Sequence, residues 1–175
     1  EIITDEITLT YPNGGEGLVP NEVVKIHWEA FDQSNDYQLE YSSDEGNSWN
    51  NIATVNGNIR SYDWSIPNLA TGKVLVRVSS NGNSDMSDAN FSISQVPVNL
   101  DVDQVCYNSI RLVWEEVPSA NFYEVFTLGD KYMESIGTTS DLFFDAPIVN
   151  PTADNWFAVR ALGDDEMVSR RTIAI

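Results

Sequence analysis

One cysteine, one histidine, and nine basic residues against 27 acidic ones are what this 175-residue chain has least of. With Cys106 alone, neither an internal disulfide nor a thiolate metal cluster can form. With His27 alone, a Ser-His-Asp arrangement has a single residue to be built on, and strand alternation puts that residue on an outer face. No apolar run approaches the roughly 18 residues of a membrane-spanning helix, so membrane insertion is not expected. No leader is visible at Glu1, and a start without Met reads as a trimmed or excised piece. The net charge of −18 is spread evenly, with 4 basic and 14 acidic residues through Ser94 and 5 and 13 beyond it. Such a field repels phosphate backbones, which makes nucleic acid and anionic membranes poor partners. GxGxxG, Walker and HExxH motifs are missing. The Gly-rich "NGGEG" at 13–17 is acidic and precedes no helix, so it is no phosphate cradle.

Helical periodicity is nearly absent, and alternating β-type runs take its place. Strands are expected near 6–11, 22–30, 36–43, 48–55, 59–66, 73–80 and 85–94. Turn clusters such as Asn13-Gly14-Gly15, Asn56-Gly57-Asn58 and Asn81-Gly82-Asn83 separate them. After Val96-Pro97 a second set follows near 98–102, 108–117, 121–128, 131–137, 140–145, 155–162 and 166–175. The second set repeats the first. "VKIHWEA" (24–30) aligns with "IRLVWEE" (110–116), which sets Trp28 against Trp114 and Tyr37 against Tyr123. "VLVRVSS" (74–80) aligns with "FAVRALG" (157–163), which sets Arg77 against Arg160. A repeat of this length is a domain duplication, not a solenoid. The fold expected is all-β, two consecutive seven-stranded antiparallel β-sandwiches, over 1–95 and 96–175, joined near 94–98 with Pro97 stiffening the join. Alternation buries Val24, Ile26 and Trp28, Ile110, Leu112 and Trp114, Val74, Val76 and Val78, and Phe157, Val159 and Ala161. It leaves Arg77 and Arg160 outside.

Trp114, "Phe122-Tyr123-Glu124-Val125" and "Phe157-Ala158-Val159-Arg160-Ala161" resemble a fibronectin type III domain over about 97–175. Phe157 stands where that pattern usually has Tyr. Residues 6–95 resemble a related Ig/fibronectin-like module of large secreted or surface proteins of bacteria, particularly of the Bacteroidetes type. Its marks are "YPNGGE" (11–16), "YSSDEGNSW" (41–49), "YDWSIP" (62–67) and "SDMSDANFSI" (84–93). Modules of this kind are appended to proteases, glycosidases and adhesins, so the resemblance implies an extracellular or cell-surface setting more than an activity.

Ser42, Asp44, Gly46 and Trp49 also resemble the Asp-box hairpin of sialidase propellers. A propeller needs the box to recur at a blade period, and here it occurs once. It reads as a hairpin staple: Asp44 accepts turn N–H groups, Gly46 takes positive φ, and Trp49 packs back as core. Trp64 is assigned to the core with it. Cys106 is expected to pack at the start of a strand, a reactive thiol being the alternative. Asp32, Asn35 and Asp36, then Asp44, Glu45 and Asn47, then Asp164, Asp165 and Glu166 offer oxygen ligands in no EF-hand order. No cofactor is expected, calcium being the one those loops could hold. Trp156 precedes an inward Phe157 and so faces out with Ala158 and Arg160. Either it stacks on Arg160, or the two form a contact platform for a partner or sugar. The function expected is a noncatalytic region of a larger bacterial surface or secreted protein that spaces or docks its neighbouring domains. An adhesion or carbohydrate-binding module contacting a surface protein or glycan is the alternative. A glycosidase fragment survives only if an unrecognised carboxylate pair converges.

Overall fold

The computed structural model describes residues 6–31, 34–148 and 154–175. Among them are fifteen strands and no helix. β1 (Ile7–Tyr11), β3 (Val23–Ala30) and β6 (Ser61–Ser65) form one sheet. Opposite it runs a sheet ordered β2 (Gly17–Leu18), β9 (Phe91–Ile93), β7 (Thr71–Ser80), β4 (Tyr37–Ser42) and β5 (Asn50–Val55), with β8 (Asn83–Met86) also on β7. In the second half, β10 (Asp101–Val105), β11 (Ser109–Val113) and β14 (Phe143–Pro147) face β13 (Met133–Thr139), β12 (Ala120–Leu128) and β15 (Phe157–Gly163). All these pairings are antiparallel except β2 with β9.

Two cores form, and they share no residue. The alternation that the sequence dictates is what fills them: Ile26, Val74, Val76 and Val78 in one, Leu112, Val125, Val159 and Ala161 in the other, each with no exposed surface. The duplication is visible as geometry. Trp28 and Tyr37 lie with ring centroids 5.7 Å apart at 55°. Trp114 and Tyr123 repeat this at 5.4 Å and 56°. Both indole N–H groups are buried without a hydrogen-bond partner. An orphan that recurs at the same place in both halves belongs to the packing of this core rather than to a ligand. Tyr123 carries a polar tip into its core, where its hydroxyl accepts the N–H of Val117 at 2.9 Å.

The edges depart from expectation. The first sandwich's last strand splits into β8 and β9. The segment 166–175 forms no regular strand. Its N–H groups do join β15, from Ser169 to Ala161, Thr172 to Val159 and Ile175 to Phe157. Two of the return bonds, however, end on hydroxyls: Ala161 N–H donates to Ser169 Oγ and Val159 N–H to Thr172 Oγ1. The same exchange occurs in the first sandwich, where Val76 N–H donates to Ser87 Oγ and Ser87 N–H to the Val76 carbonyl. A side-chain oxygen that substitutes for a carbonyl satisfies the ladder while breaking its regularity. With residues 168–175 as its seventh strand, the second sandwich is complete. Ladder bonds of the first sandwich reach Ser94, whose N–H donates to Leu18, and those of the second begin at Val98, which accepts from Glu115.

Candidate functional site

The Asp-box hairpin is built around Ser42, which has no exposed surface. Its Oγ accepts the N–H of Asp44 at 3.2 Å and of Gly46 at 2.8 Å, and donates to Asp44 Oδ1 at 2.7 Å. Asp44 in turn accepts the N–H of Ser48 at 2.8 Å and its hydroxyl at 2.6 Å. Glu45 and Gly46 take φ of 58° and 85°, the left-handed turn for which glycine is suited. Trp49 is not core. It is half-buried on the outer face, with the Arg77 guanidinium 4.1 Å above its ring. Arg77 is oriented by Glu40, its cross-strand neighbour, at 2.7 Å. Trp64, by contrast, is buried in the core as expected.

Ser48's hydroxyl and N–H, followed by Ser42's hydroxyl, hold the Asp44 carboxyl below the ordinary carboxylate range. The folded chain therefore binds this proton less readily than the unfolded one. The resulting stabilisation is present above about pH 4 and is lost as pH falls through the folded value. An NMR titration should place Asp44 below free aspartate, and Asp44→Asn should flatten that part of the acid limb. A normal Asp44 titration would show that these hydrogen bonds do not hold in solution.

The outer face of the second sandwich follows the same plan. Arg160 pairs with Glu124, its cross-strand neighbour, at 2.6 Å. Arg160 and Arg171 each lie 5.2 Å from the ring of Phe126. The expected stack of Trp156 on Arg160 does not form, because the guanidinium is drawn to the carboxylate opposite it and to Phe126. Trp156 is 45% exposed, and its carbonyl accepts the N–H of Leu128, itself 47% exposed. Ala158, which pairs with Phe126, is buried rather than solvent-facing.

The sandwiches meet along a seam. The turn after β15 reaches the first sandwich, where the Gly72 N–H donates to the Asp165 carbonyl at 3.0 Å and the Val168 N–H to Ser92 Oγ at 3.1 Å. Ion pairs cross at Lys73–Asp165, 3.2 Å, and Arg170–Glu22, 2.5 Å. Asp165 and Glu166 are held at φ of 53° and 58°, conformations that non-glycine residues seldom adopt. The fit requires glycine: a Cβ on Gly72 would stand 2.4 Å from the Glu166 carbonyl carbon and oxygen.

His27 is exposed on β3, and Cys106 is exposed in the turn after β10 rather than packed. No group of three or more His, Cys, Asp and Glu side chains suited to a metal occurs among the described residues. Asp44 and Asn47 bond within their own turn, Asp164 accepts from Asn121, and Asp165 pairs with Lys73. Asp32 lies outside the described residues.

No protein-family model matches the chain, and no curated protein matches it. Among solved structures, a cytokine receptor complex chain is 13% identical, over 97% of this chain and 94% of its own, at a TM-score of 0.51. The structure of FN3tt is 24% identical, over 46% of this chain and 89% of its own, at 0.41. The fibronectin(III)-like modules of Clostridium thermocellum CbhA are 13% identical, over 97% and 93%, at 0.39. The first of these likenesses concerns the fold alone. The chain is all-β, and its antiparallel sheets enclose two sandwich cores.

Proposed function

We propose that the chain is a noncatalytic spacer that holds neighbouring domains of a larger bacterial extracellular or surface protein at a fixed separation. On this reading residues 1–95 and 96–175 are its two domains, and the first belongs with the surface-protein modules that its "YPNGGE" and Asp-box blocks resemble. The observation that carries it is the seam. A turn with two left-handed residues sits against Gly72, bonded through backbone atoms that a flexible tether would leave to water. Spin labels on exposed Thr54 and Lys131 should give one narrow distance distribution. A broad one would sink the spacer reading. Measurable turnover of a glycoside, sialoside or peptide, lost on mutating a single carboxylate or His27, would sink the noncatalytic one.

The second reading, an adhesion or carbohydrate-binding module, draws on Trp156. Its indole stays exposed beside Leu128 at the end of the second sandwich, and apolar area left in water favours a partner that covers it. Arg160, bound to Glu124 and set against Phe126, contributes to such a contact only at its margin. Trp156→Ala should then abolish retention on a glycan or surface-protein array without lowering the melting temperature. Equal retention by the variant removes Trp156 from any contact.

A further inference from the structure

The last strand of a sandwich has one side that its own sheet does not use. In the first sandwich the chain closes that side itself. Residues 12–18 cross from β1 to the β8–β9 edge, where Ala89 N–H donates to the Asn13 carbonyl, Gly15 N–H to Asn90, Ser92 N–H to Glu16 and Ser94 N–H to Leu18. Leu18, 4% exposed, enters the core between the sheets. In the second sandwich β10 turns into β11 through residues 106–108 alone, so the covering segment has no counterpart.

Among the described residues, the edge that corresponds to it is open over residues 171–175, beyond Arg170, which lies against Gly17 of the first sandwich. Among the described residues, the N–H groups of Arg171, Ile173 and Ala174 have no partner, although those of Ser169, Thr172 and Ile175 bond to β15. Ile173 is 91% exposed. Beside the edge runs a groove of about 570 Å³, lined by Val98, Leu100, Ile173 and Ile175 with Arg170 and Arg171 along it. An open strand edge presents a row of backbone groups that another strand can pair with.

We propose that this edge takes up an extended strand from a partner, one that carries acidic side chains and an aliphatic side chain that enters the groove. Main-chain bonds to the free N–H groups supply the pairing, and the groove selects the side chain. The charge follows from the arginines. In a chain of net charge −18, Arg170 and Arg171 line this groove. Arg170 is half-exposed in its pair with Glu22, and Arg171 makes no ion pair among the described residues. A second copy of the chain is disfavoured as occupant, because it would bring −18 against −18.

The probes are two short synthetic peptides, one alternating glutamate with leucine and the other lysine with leucine, added to the whole 175-residue chain. The glutamate peptide should slow amide exchange at Arg171, Ile173 and Ala174, and the lysine peptide should bind at least about tenfold more weakly. Ile173→Pro deletes an N–H that makes no bond among the described residues, and should remove binding with the melting temperature unchanged. Should that variant fail to fold, Arg171→Glu, expected to weaken the glutamate peptide about tenfold, gives the decision together with the exchange map. The proposal is overturned by equal binding of the two peptides, by protection confined to other strands, by undiminished binding to either variant, or by dimerisation through this edge. A chain that bound nothing there would still keep its fixed spacing, so this failure and that of the spacer reading are distinct.

Discussion

Replacing Gly72 by valine should separate the two sandwiches while leaving both folded. The new Cβ would stand 2.4 Å from the Glu166 carbonyl carbon and oxygen and 2.6 Å from the Asp165 carbonyl oxygen, so either β7 or the facing turn must move. Magnitudes decide which. β7 carries Val74, Val76 and Val78, each with no exposed surface, and each such side chain contributes about 1.5–3 kcal/mol by burial. The turn is held across the seam by two hydrogen bonds, from Gly72 N–H and Val168 N–H, at about 1 kcal/mol each, while exposed ion pairs add little. Its Asp165 and Glu166, at φ of 53° and 58°, also sit in a strained conformation that release would relieve. The turn should therefore yield. Small-angle scattering should show a larger radius of gyration and a longer maximum dimension, the label distances should broaden, and the near-ultraviolet signals of Trp28 and Trp114 should stay. An unchanged scattering profile from a folded Gly72→Val chain would mean that the seam is not closed in solution, and the fixed-spacer reading would fall with it.

What the sequence discloses about this molecule is what local periodicity encodes. Val24-Ile26-Trp28 and Ile110-Leu112-Trp114 announce both cores, and the spacing of the Trp and Tyr residues announces the duplication, because a period of two fixes which face a strand side chain takes. The pairing of Arg77 with Glu40 and of Arg160 with Glu124 was within reach of the same repeat, since both partners recur at nearly the same separation. Other features rest on contacts that alternation does not describe. The exchange of carbonyls for the hydroxyls of Ser87, Ser169 and Thr172 lies in side chains that look like ordinary polar strand residues. β2 is two residues long and pairs with a strand more than 70 positions away, so "PNGGEGL" reads as a turn. Trp49 follows a left-handed turn, where inward and outward lose their meaning, and its cover comes from Arg77 on another strand. The seam leaves one trace in the sequence, a glycine at position 72 in the valine-rich strand TGKVLVRVSS, and a strand glycine often marks close approach by another backbone.

The same logic governs the hairpin, where the residue of greatest consequence is Ser42 rather than the aspartate for which the box is named. Ser42→Ala should lower the melting temperature of the first sandwich more than Asp44→Ala does. Ser42 Oγ serves two backbone donors, the N–H groups of Asp44 and Gly46, and supplies a donor to the Asp44 carboxylate. Its side chain has no exposed surface, so methyl replacement leaves those groups without a ready substitute from water. One buried, unsatisfied backbone group costs about 1–3 kcal/mol, and a loss in that range shifts the melting of a domain this size by roughly 4–24 °C. Asp44 stands at the solvent side of the turn, where water can take over part of its role for Ser48, so its removal should cost less. Trp49 would lose the fixed turn beside it, because a Cβ added to Gly46 would stand only 3.6 Å from its ring. Its fluorescence should shift toward that of a hydrated indole before the core unfolds. Scanning calorimetry and tryptophan emission on the whole chain would check both effects. If Ser42→Ala melts with the wild type, or no lower than Asp44→Ala, then the hydroxyl does not hold the hairpin, and the bonds to Ser48 do.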